Sequence, residues 1–461
     1  MLTKRFFLTL TLSALLLASC VEITYLPLNT PTTEFAESTP VPLPSNTPTP
    51  APTQAPDLGV STEALRGLTV SLWHGLGGSQ ASLLAQMAAE FSLSNPWGIT
   101  VQSRALENLS ALEQAIQNGQ TGDGLPELAL ALPEQSLAWD EESLLTALNP
   151  YISNPEFGFT QNDLNDFPVG LWRQDDVDGR RLGIPAIRST RLLFYNVTWA
   201  RELGFETSPQ TADEFRKQAC AANATFKADA DLTNDGYGGL VLDGDPWTAY
   251  SWLRAFGGDV ATANAFDFVR DENEAALDFL SELRADGCAW LATDLTSYHH
   301  LAARRALFIS GSLSEIAPQD AALRIASSPD TWTVLPFPGM QRAVVAHGPS
   351  FVLFETSPAR QLAGWLFMRW VLSAENQARW AQESGFLPVR VSALALVRAP
   401  SAQWRTAADL VPQMSNYPQL AGWRVARHVL GDGFYNFFVL NLPAGDVLQE
   451  MQSTVEAVLG K

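Results

Sequence analysis

The sequence predicts an α/β protein, because strand-like and helix-like stretches alternate along the chain from residue 68 onward. Residues 68–73 (LTVSLW) are rich in β-forming residues, and a glycine-rich turn follows them. Ser79 is a suitable N-cap for a helix in which Met87 and Phe91 fall four residues apart on one face. Residues 127–132 (ELALAL) are apolar after the first residue, as in a parallel strand that helices cover on both sides.

The alternation divides into two units. A strand at 99–102 and a helix at 109–117 complete a βαβαβ unit, and short connections of this kind indicate a parallel sheet. A second unit starts after Pro185 with a strand at 191–196, and a capping-box pattern at 209–214 opens its first helix. The later elements are predicted as helices at 248–256 and 272–286 and strands at 331–338 and 350–355.

Two further helices follow the last strand. Leu362, Leu366 and Trp370 form an apolar stripe on the first, and Ser373 caps the second, which ends at Gly385. We interpret three tryptophans on these helices as core residues, namely Trp365, Trp370 and Trp380.

The composition excludes several classes of function. The 461 residues are enough for two or three domains, and 46 % of them are apolar, which allows sizeable cores. Acidic residues outnumber basic ones by 49 to 29, which gives a net charge of −20. Because a nucleic-acid-binding protein needs a cationic face, we expect no nucleic-acid partner.

The N-terminus predicts export. Lys4 and Arg5 precede an apolar run at 6–17, so residues 1–20 resemble a secretion signal, and the run is too short to span a membrane comfortably. It ends in LASC, which resembles the lipobox of bacterial lipoproteins and implies cleavage before Cys20 and a lipid on its sulfur. The alternative is an uncleaved apolar start with an incidental cysteine.

A disordered, extended stalk is predicted at 21–65, since its Pro, Thr and Ser residues cannot bury enough apolar surface to fold. The expected location is the outer face of the cytoplasmic membrane, where the lipid alone holds a folded domain.

Two cysteines remain beyond Cys20. Cys220 and Cys288 belong to an exported chain, in which one disulfide between them is expected; two separate buried thiols are the alternative. Neither lies in a C-x-x-C motif, which argues against a redox centre or a zinc site.

Signatures of cofactors and catalysis are missing. Gly75, Gly77 and Gly78 do not complete a dinucleotide-binding motif, although a glycine-rich turn before a helix suits a hydroxyl, carboxylate or phosphate group. The Asp229–Gly236 stretch resembles part of a calcium loop, but Leu242 stands where its last acid is required. We expect no metal, no cofactor and no catalysis, although a carboxylate pair for glycoside hydrolysis is not excluded by sequence.

Three segments carry a resemblance to a known family. TVSLWHGLGGSQASLLAQMAAEF, DGRRLGIPAIRSTRLLFYN with ELGFETSPQTADEF, and WLFMRWVLSAENQARWAQESGFLPVR resemble, in order, segments of the family-1 extracellular solute-binding proteins of ABC sugar importers. The resemblance covers roughly residues 66–396. It implies a monomeric receptor that binds a small molecule, a mono- or oligosaccharide, and delivers it to the permease subunits of an ABC transporter.

The fold that the resemblance implies is the two-lobed, type II periplasmic-binding-protein clamshell, in which each lobe is a mixed sheet flanked by helices. The chain crosses three times between the lobes, near 186–191, 335–348 and 386–392. Lobe 1 is expected to comprise residues 66–187 and 340–388, and lobe 2 residues 188–339 and 389–461.

The ligand is expected in the cleft between the lobes, where aromatic rings stack on sugar faces and polar groups bind hydroxyls. Trp73 and His74 end the first strand, Glu134 follows the third, and Arg390 in the third crossing is either a cleft residue or part of a hinge salt bridge. The predicted ligand-binding residues are Trp73, His74, Glu134, Arg188, Ser189, Thr190, Tyr195, Trp247, Tyr250 and Gly257.

Three other functions stay open at this stage. WHGLGG also resembles family members that bind glycerol phosphate or its phosphodiesters. A surface glycoside hydrolase would also suit the aromatic content, and a ligand-sensing subunit that docks on a receptor kinase would share the same fold.

Overall fold

A computed structural model describes residues 57–121, 124–292 and 296–460. The predicted signal peptide, Cys20 and the stalk up to residue 56 lie outside the described residues. The stalk was predicted to extend to residue 65, but Thr62–Leu65 form a 3₁₀ turn and Leu65 is fully buried in a core. The folded part therefore begins earlier than predicted. Among the described residues, no helix has the length and apolar character that crossing a membrane requires.

The regular elements follow one another along the whole described chain. The strands are β1 (Thr69–His74), β2 (Thr100–Ala105), β3 (Leu128–Ala131), β4 (Asp176–Val177), β5 (Arg180–Arg181), β6 (Gly183–Pro185), β7 (Ser189–Asn196), β8 (Leu240–Leu242), β9 (Ala289–Leu291), β10 (Phe308–Ser312), β11 (Trp332–Leu335), β12 (Ala346–His347) and β13 (Ser350–Leu353). The helices are α1 (Gly78–Ser94), α2 (Leu109–Thr121), α3 (Pro133–Glu141), α4 (Asn149–Ile152), α5 (Gln161–Asn165), α6 (Val169–Arg173), α7 (Val197–Glu202), α8 (Ala212–Lys227), α9 (Pro246–Ala255), α10 (Asp271–Ala285), α11 (Ser297–Ala302), α12 (Ile316–Ile325), α13 (Pro358–Val371), α14 (Ala374–Ser384), α15 (Val391–Leu394), α16 (Ala402–Ala408), α17 (Trp423–Leu440) and α18 (Ala444–Leu459).

Lobe 1 is built on a five-stranded sheet with the order β2-β1-β3-β13-β6. β1 pairs in parallel with both β2 and β3, and β13 joins antiparallel to β3 and β6. All four residues of β3 are buried, because α2 and α3 pack on one face of the sheet and α1 and α13 on the other. This matches the continuous apolar run in the sequence.

Lobe 2 is built on a six-stranded sheet with the order β11-β7-β10-β8-β9, to which β12 adds along β7. β7 is antiparallel to β10, β11 and β12, whereas β8 is parallel to β9 and β10. The C-terminal helices α17 and α18 pack on α9 and α10, so the end of the chain completes the core of this lobe.

Arg188 joins chain crossings between the two sheets. Its backbone N–H donates to the carbonyl of Leu387, and the Leu387 N–H donates back to the Arg188 carbonyl, at 3.2 and 2.8 Å. Its guanidinium donates to the Pro349 carbonyl at 2.7 Å and to the Ser350 hydroxyl at 2.9 Å. The backbone of Arg188 therefore connects the first crossing to the third, and its buried side chain connects the first crossing to the residues that directly follow the second.

Arg390, on the third crossing, forms ion pairs with Asp163 and Asp166 at 2.8 and 2.6 Å. Of the two roles that the sequence allowed for Arg390, a cleft residue or a hinge salt bridge, these ion pairs correspond to the second.

Cys220 of α8 and Cys288 after α10 are joined by a disulfide, with their Cα atoms 4.6 Å apart. Cys288 is buried against the α8–α10 side of lobe 2.

Candidate functional site

A cavity of about 310 Å³ lies where the strand ends of lobe 1 meet the helix α17 of lobe 2. Its lining comes from both lobes and consists of Gly75, Asn108, Leu109, Ser110, Leu132, Gln135, Arg424, Arg427 and His428. Small-molecule sites in proteins span roughly 300–1,000 Å³, so this cavity suits a small solute.

The lobe 1 wall follows from the parallel pairing of β1 and β3, whose carboxyl ends meet at the same edge of the sheet. Gly75 follows β1 directly and lies against the first turn of α2. A Cβ atom at this position would come within 2.7 Å of the Asn108 carbonyl carbon and the Leu109 nitrogen, so only glycine permits the approach.

Gln135 fixes the adjoining turn at the end of β3. Its Oε1 accepts from the Leu132 N–H at 3.0 Å, and its Nε2 donates to the Leu109 carbonyl at 3.1 Å. The starts of α2 and α3 are thereby held together as one wall.

The lobe 2 wall is the first part of α17, where Arg424, Arg427 and His428 lie on neighbouring turns of one helix face. Arg424 forms an ion pair with Glu113 of α2, so the two walls are connected. Asn416, in the segment before α17, also donates to the Gly170 carbonyl of lobe 1 at 2.8 Å.

Behind Arg427 lies a group of aromatic rings around Trp247, at the start of α9. His347 stacks on the indole at 4.4 Å with an interplanar angle of 9°, and Tyr417 meets it edge-on at 5.0 Å. The Arg427 guanidinium lies over the same indole, 5.4 Å from its centre. Burial lowers the pKa of His347 to about 3, so this imidazole is neutral at physiological pH.

Glu134 is buried beside this group, at the start of α3. Its Oε2 accepts a hydrogen bond from the Tyr417 hydroxyl at 3.0 Å, whereas its Oε1 has no hydrogen-bond partner among the described residues. Burial raises the pKa of Glu134 and outweighs the attraction of Arg427. Glu134 and Tyr417 therefore connect the lobes through a hydrogen bond next to the cavity.

The predicted ligand residues at the end of β1, Trp73 and His74, contact neighbouring residues of lobe 1. His74 is buried, and its ring bonds the Ser103 hydroxyl at 3.0 Å and accepts from the Leu76 N–H at 3.2 Å. Burial lowers its pKa to about 4. Trp73 is half-buried on the α2 side of the sheet, with the Arg104 guanidinium 4.8 Å from its ring centre. The cavity is lined by the next residue, Gly75, and not by either of these side chains.

The predicted ligand residues of the first crossing, Arg188, Ser189 and Thr190, are buried, and two of them bond other residues of the protein. Besides its contacts with the other crossings, Arg188 pairs with Asp175 at 3.4 Å, and both side chains are almost inaccessible. Thr190 donates to the Arg191 carbonyl, and the Ser189 hydroxyl is buried without a described partner. These three residues belong to the hinge in this structure.

Three other predicted ligand residues lie away from the cavity. The Tyr195 hydroxyl donates to Gln218 at 2.7 Å, and the Tyr250 hydroxyl donates to Asp259 at 2.9 Å, both inside the core of lobe 2. Gly257 has a φ of +89° and forms the exposed turn after α9, at the opposite end of that helix from Trp247. Its conformation, which favours glycine, explains its presence there.

The residues that sequence reasoning missed are those of the C-terminal segment, Tyr417, Trp423, Arg424, Arg427 and His428. They lie beyond residue 396, where the resemblance of the sequence motifs ended. The available signal was the spacing of Trp423 and Arg427, which places an aromatic ring and a cation on one helix face.

The described residues offer little to a metal ion. The one group of ligand-type side chains close enough together in the described part of the chain is Cys220, Asp286 and Cys288, and its two sulfurs form the disulfide. In the Asp229–Gly236 stretch, Asp229 and Asp231 accept hydrogen bonds from residues of their own turn, as in an acidic surface loop.

Comparison with known proteins identifies the class. Residues 86–412 match the family model of the bacterial extracellular solute-binding proteins, and the chain belongs to this family. No curated protein sequence matches it.

Solved structures share its fold at low sequence identity. The sugar-binding protein MalE of Xanthomonas citri superposes with a TM-score of 0.73 at 21 % identity, covering 85 % of this chain and 97 % of that one. The cyclic α-maltosyl-1,6-maltose binding protein of Arthrobacter globiformis gives 0.69 at 20 % identity, with 85 % and 99 % covered. UgpB of Mycobacterium tuberculosis, solved with glycerophosphocholine, gives 0.67 at 19 % identity, with 85 % and 98 % covered. The two-lobed, maltose-binding-protein-like fold is therefore established.

Proposed function

We propose that this protein captures a carbohydrate in the cavity between its lobes and delivers it to the permease subunits of an ABC importer. The observation that carries the proposal is that residues of both lobes line one cavity. A solute that contacts both walls shifts the protein toward the closed arrangement, because it binds that arrangement more tightly than the open one. Membership of the solute-binding family and the sugar ligands in the names of the similar structures support the same function.

The chemistry of the lining suits a polyhydroxylated solute. Asn108 offers the N–H groups of its amide, since its Oδ1 already accepts from the Ala111 N–H. Ser110 offers a hydroxyl, Arg427 offers several N–H donors, and Leu132 adds an apolar contact. Trp247 was predicted to stack on the sugar, but His347 and Arg427 cover its ring in this structure. We therefore assign its contribution to positioning Arg427.

Binding without catalysis is the better interpretation of this lining. A glycoside hydrolase requires two carboxyl groups on either side of the scissile bond, about 5–9.5 Å apart. None of the nine described residues that line the cavity is Asp or Glu. Glu134, a neighbouring carboxyl group, is buried and bonded to Tyr417, away from a role as acid or base.

A panel of solutes tests the proposal. We expect at least one of glucose, maltose and maltotriose to bind with 1:1 stoichiometry in calorimetric titration, and to be recovered intact by chromatography. Failure of all three sugars to bind contradicts carbohydrate capture, binding of glycerophosphocholine alone favours the phosphodiester receptor, and recovery of cleaved sugar contradicts the absence of catalysis.

Two glycine variants link this binding to the cavity. Gly75→Ala is expected to weaken binding at least tenfold, because the added Cβ pushes the wall of α2 aside. Gly77→Ala, where a Cβ would meet no atom within 4 Å, is the matched control and should bind as the wild type does.

Lipid anchoring is the second part of the proposal and rests on the sequence before residue 21. In membrane fractions of cells that express the full chain, Cys20→Ser should release the folded protein, because it removes the sulfur that carries the lipid. Ser19→Ala is the control, since it keeps that cysteine. If Cys20→Ser still sediments with membranes, the anchor is not a lipid on this residue.

A further inference from the structure

We propose that the solute carries a negative charge, a carboxylate or a phosphate, beside its hydroxyl groups, and that Arg427 binds this group. This inference rests on the proposed function and assigns the class of solute. It follows from the charge of the cavity and from the unpaired state of one arginine.

Arg427 is the decisive residue. Its guanidinium makes no hydrogen bond and no ion pair with any residue that the structure describes, and its Nε is buried. By contrast, Arg424 on the same wall is paired with Glu113. Arg427 is only partly buried, but the burial of its Nε without a hydrogen-bond acceptor is costly, whereas a bound carboxylate or phosphate would accept two of its N–H groups at once.

Trp247 holds Arg427 at the cavity. The guanidinium lies over the indole, and the ring is itself fixed by His347 and Tyr417. An arginine packed on a ring loses less freedom when it binds a planar anion, which favours specific recognition. Hydroxyl binding alone would not require an unpaired cation in this place.

The opposite wall of the cavity, at the start of α2 in lobe 1, is also positive. Leu109 and Ser110 begin the 13-residue helix α2, Asn108 precedes it, and all three residues line the cavity. The Ala111 N–H donates to Asn108 Oδ1 at 2.9 Å, but the other first-turn N–H groups have no acceptor within the helix, and the helix dipole places partial positive charge there. A solute between this turn and Arg427 would meet positive charge from both lobes.

Negative charge at the cavity is largely removed. Arg424 neutralises Glu113, and burial favours the protonated form of Glu134 by raising its pKa. Partial burial and the charges of Arg427 and Arg424 lower the pKa of His428, although the nearby Asp432 acts in the opposite direction. The positive charge at the cavity stands out in a chain with 49 acidic and 29 basic residues, whose overall charge repels anions.

Matched pairs of solutes test the inference on the wild-type protein. Calorimetric titration compares glucuronate with glucose and glycerol 3-phosphate with glycerol, so the two arms separate carboxylate from phosphate recognition. We expect the acidic member of at least one pair to bind at least tenfold more tightly than its neutral partner. Equal affinity within both pairs, or tighter binding of the neutral members, overturns the inference and leaves carbohydrate capture standing.

Two variants then assign the preference to its residue. Arg427→Gln is expected to reduce the preference for the acidic member of a pair to threefold or less. Arg405→Gln, on the exposed face of α16, is the control and should keep the full preference. If Arg427→Gln keeps the full preference for the acidic solute, this arginine does not bind the negative group. Absence of binding by both pairs and by every sugar of the earlier panel overturns the proposed function itself.

Discussion

Asp175→Asn is expected to lower the free energy of unfolding by about 3–5 kcal/mol, among the largest effects of any single substitution proposed for this protein. Asp175 and Arg188 form an ion pair in which both side chains are almost completely withdrawn from solvent. Burial raises the pKa of Asp175 despite the nearby guanidinium. Neutralising the carboxylate leaves the Arg188 charge buried without its counterion.

The design of this experiment separates the cost of an unpaired charge from the loss of a contact. The double variant Asp175→Asn/Arg188→Met removes both charges and should recover most of the lost stability, because buried ion pairs contribute little relative to apolar replacements. Asp140→Asn is the surface control: it breaks the pair with Arg180, whose side chain is 55 % exposed, and should cost at most about 1 kcal/mol. Denaturant unfolding followed by tryptophan fluorescence measures all three variants. Equal losses in Asp175→Asn and Asp140→Asn would show that the hinge pair is not the stabilising contact described above.

Comparison with the Asp175–Arg188 pair shows why more of the fold than of the site could be predicted from the sequence. The helix between Ser373 and Gly385 was predicted correctly because both end signals are local: the Ser373 hydroxyl accepts from the Asn376 N–H, and Gly385 has a φ of +73°. The continuous burial of β3 was likewise readable from four adjacent apolar residues. Arg188, in contrast, was predicted to bind ligand, which remains a prediction. Its pairing with Asp175 could not be predicted, because it depends on how two loops meet.

Periodicity alone also overestimated burial on one helix. Trp365 is fully buried and donates to the Phe157 carbonyl at 2.8 Å, as a core residue should. Trp370, on the same helix, is only half-buried against Phe91 and Phe367, although the apolar stripe predicted it to be core. The stripe therefore marks the correct face, but its spacing does not show how completely each residue on that face is buried.

The predicted ligand-binding residues remain predictions, and the cavity shares their turns but is lined by other residues of those turns. The turn after β1 does reach the cavity, but through Gly75 and not through Trp73 or His74. The turn after β3 does so through Leu132 and Gln135, while Glu134 points to Tyr417. Which side chain of a turn faces a cavity depends on backbone torsions that residue types do not specify. The wall supplied by α17 lies far along the chain from both turns, since Arg424 is 349 residues after Gly75 and 289 after Gln135.

Loss of the disulfide between Cys220 and Cys288 is expected to cost on the order of 4 kcal/mol of stability. The two cysteines are 68 residues apart in sequence, and opening a loop of that length restores a large conformational entropy to the unfolded chain. With an unfolding entropy of about 2 cal/mol/K per residue over roughly 400 folded residues, this corresponds to a decrease in Tm of about 5 °C. Scanning calorimetry of the double variant Cys220→Ala/Cys288→Ala measures it.

A reductant provides the matched control for this prediction. Dithiothreitol should lower the Tm of the wild type toward that of the double variant and leave the variant unchanged, because only the wild type has a bond to reduce. Solute binding at 25 °C should be the same in both, since the disulfide connects α8 to the end of α10 and neither cysteine lines the cavity. Thiol titration verifies that the wild type is fully reduced. If its Tm is then unchanged, the disulfide does not stabilise the protein by the amount expected from the length of its loop.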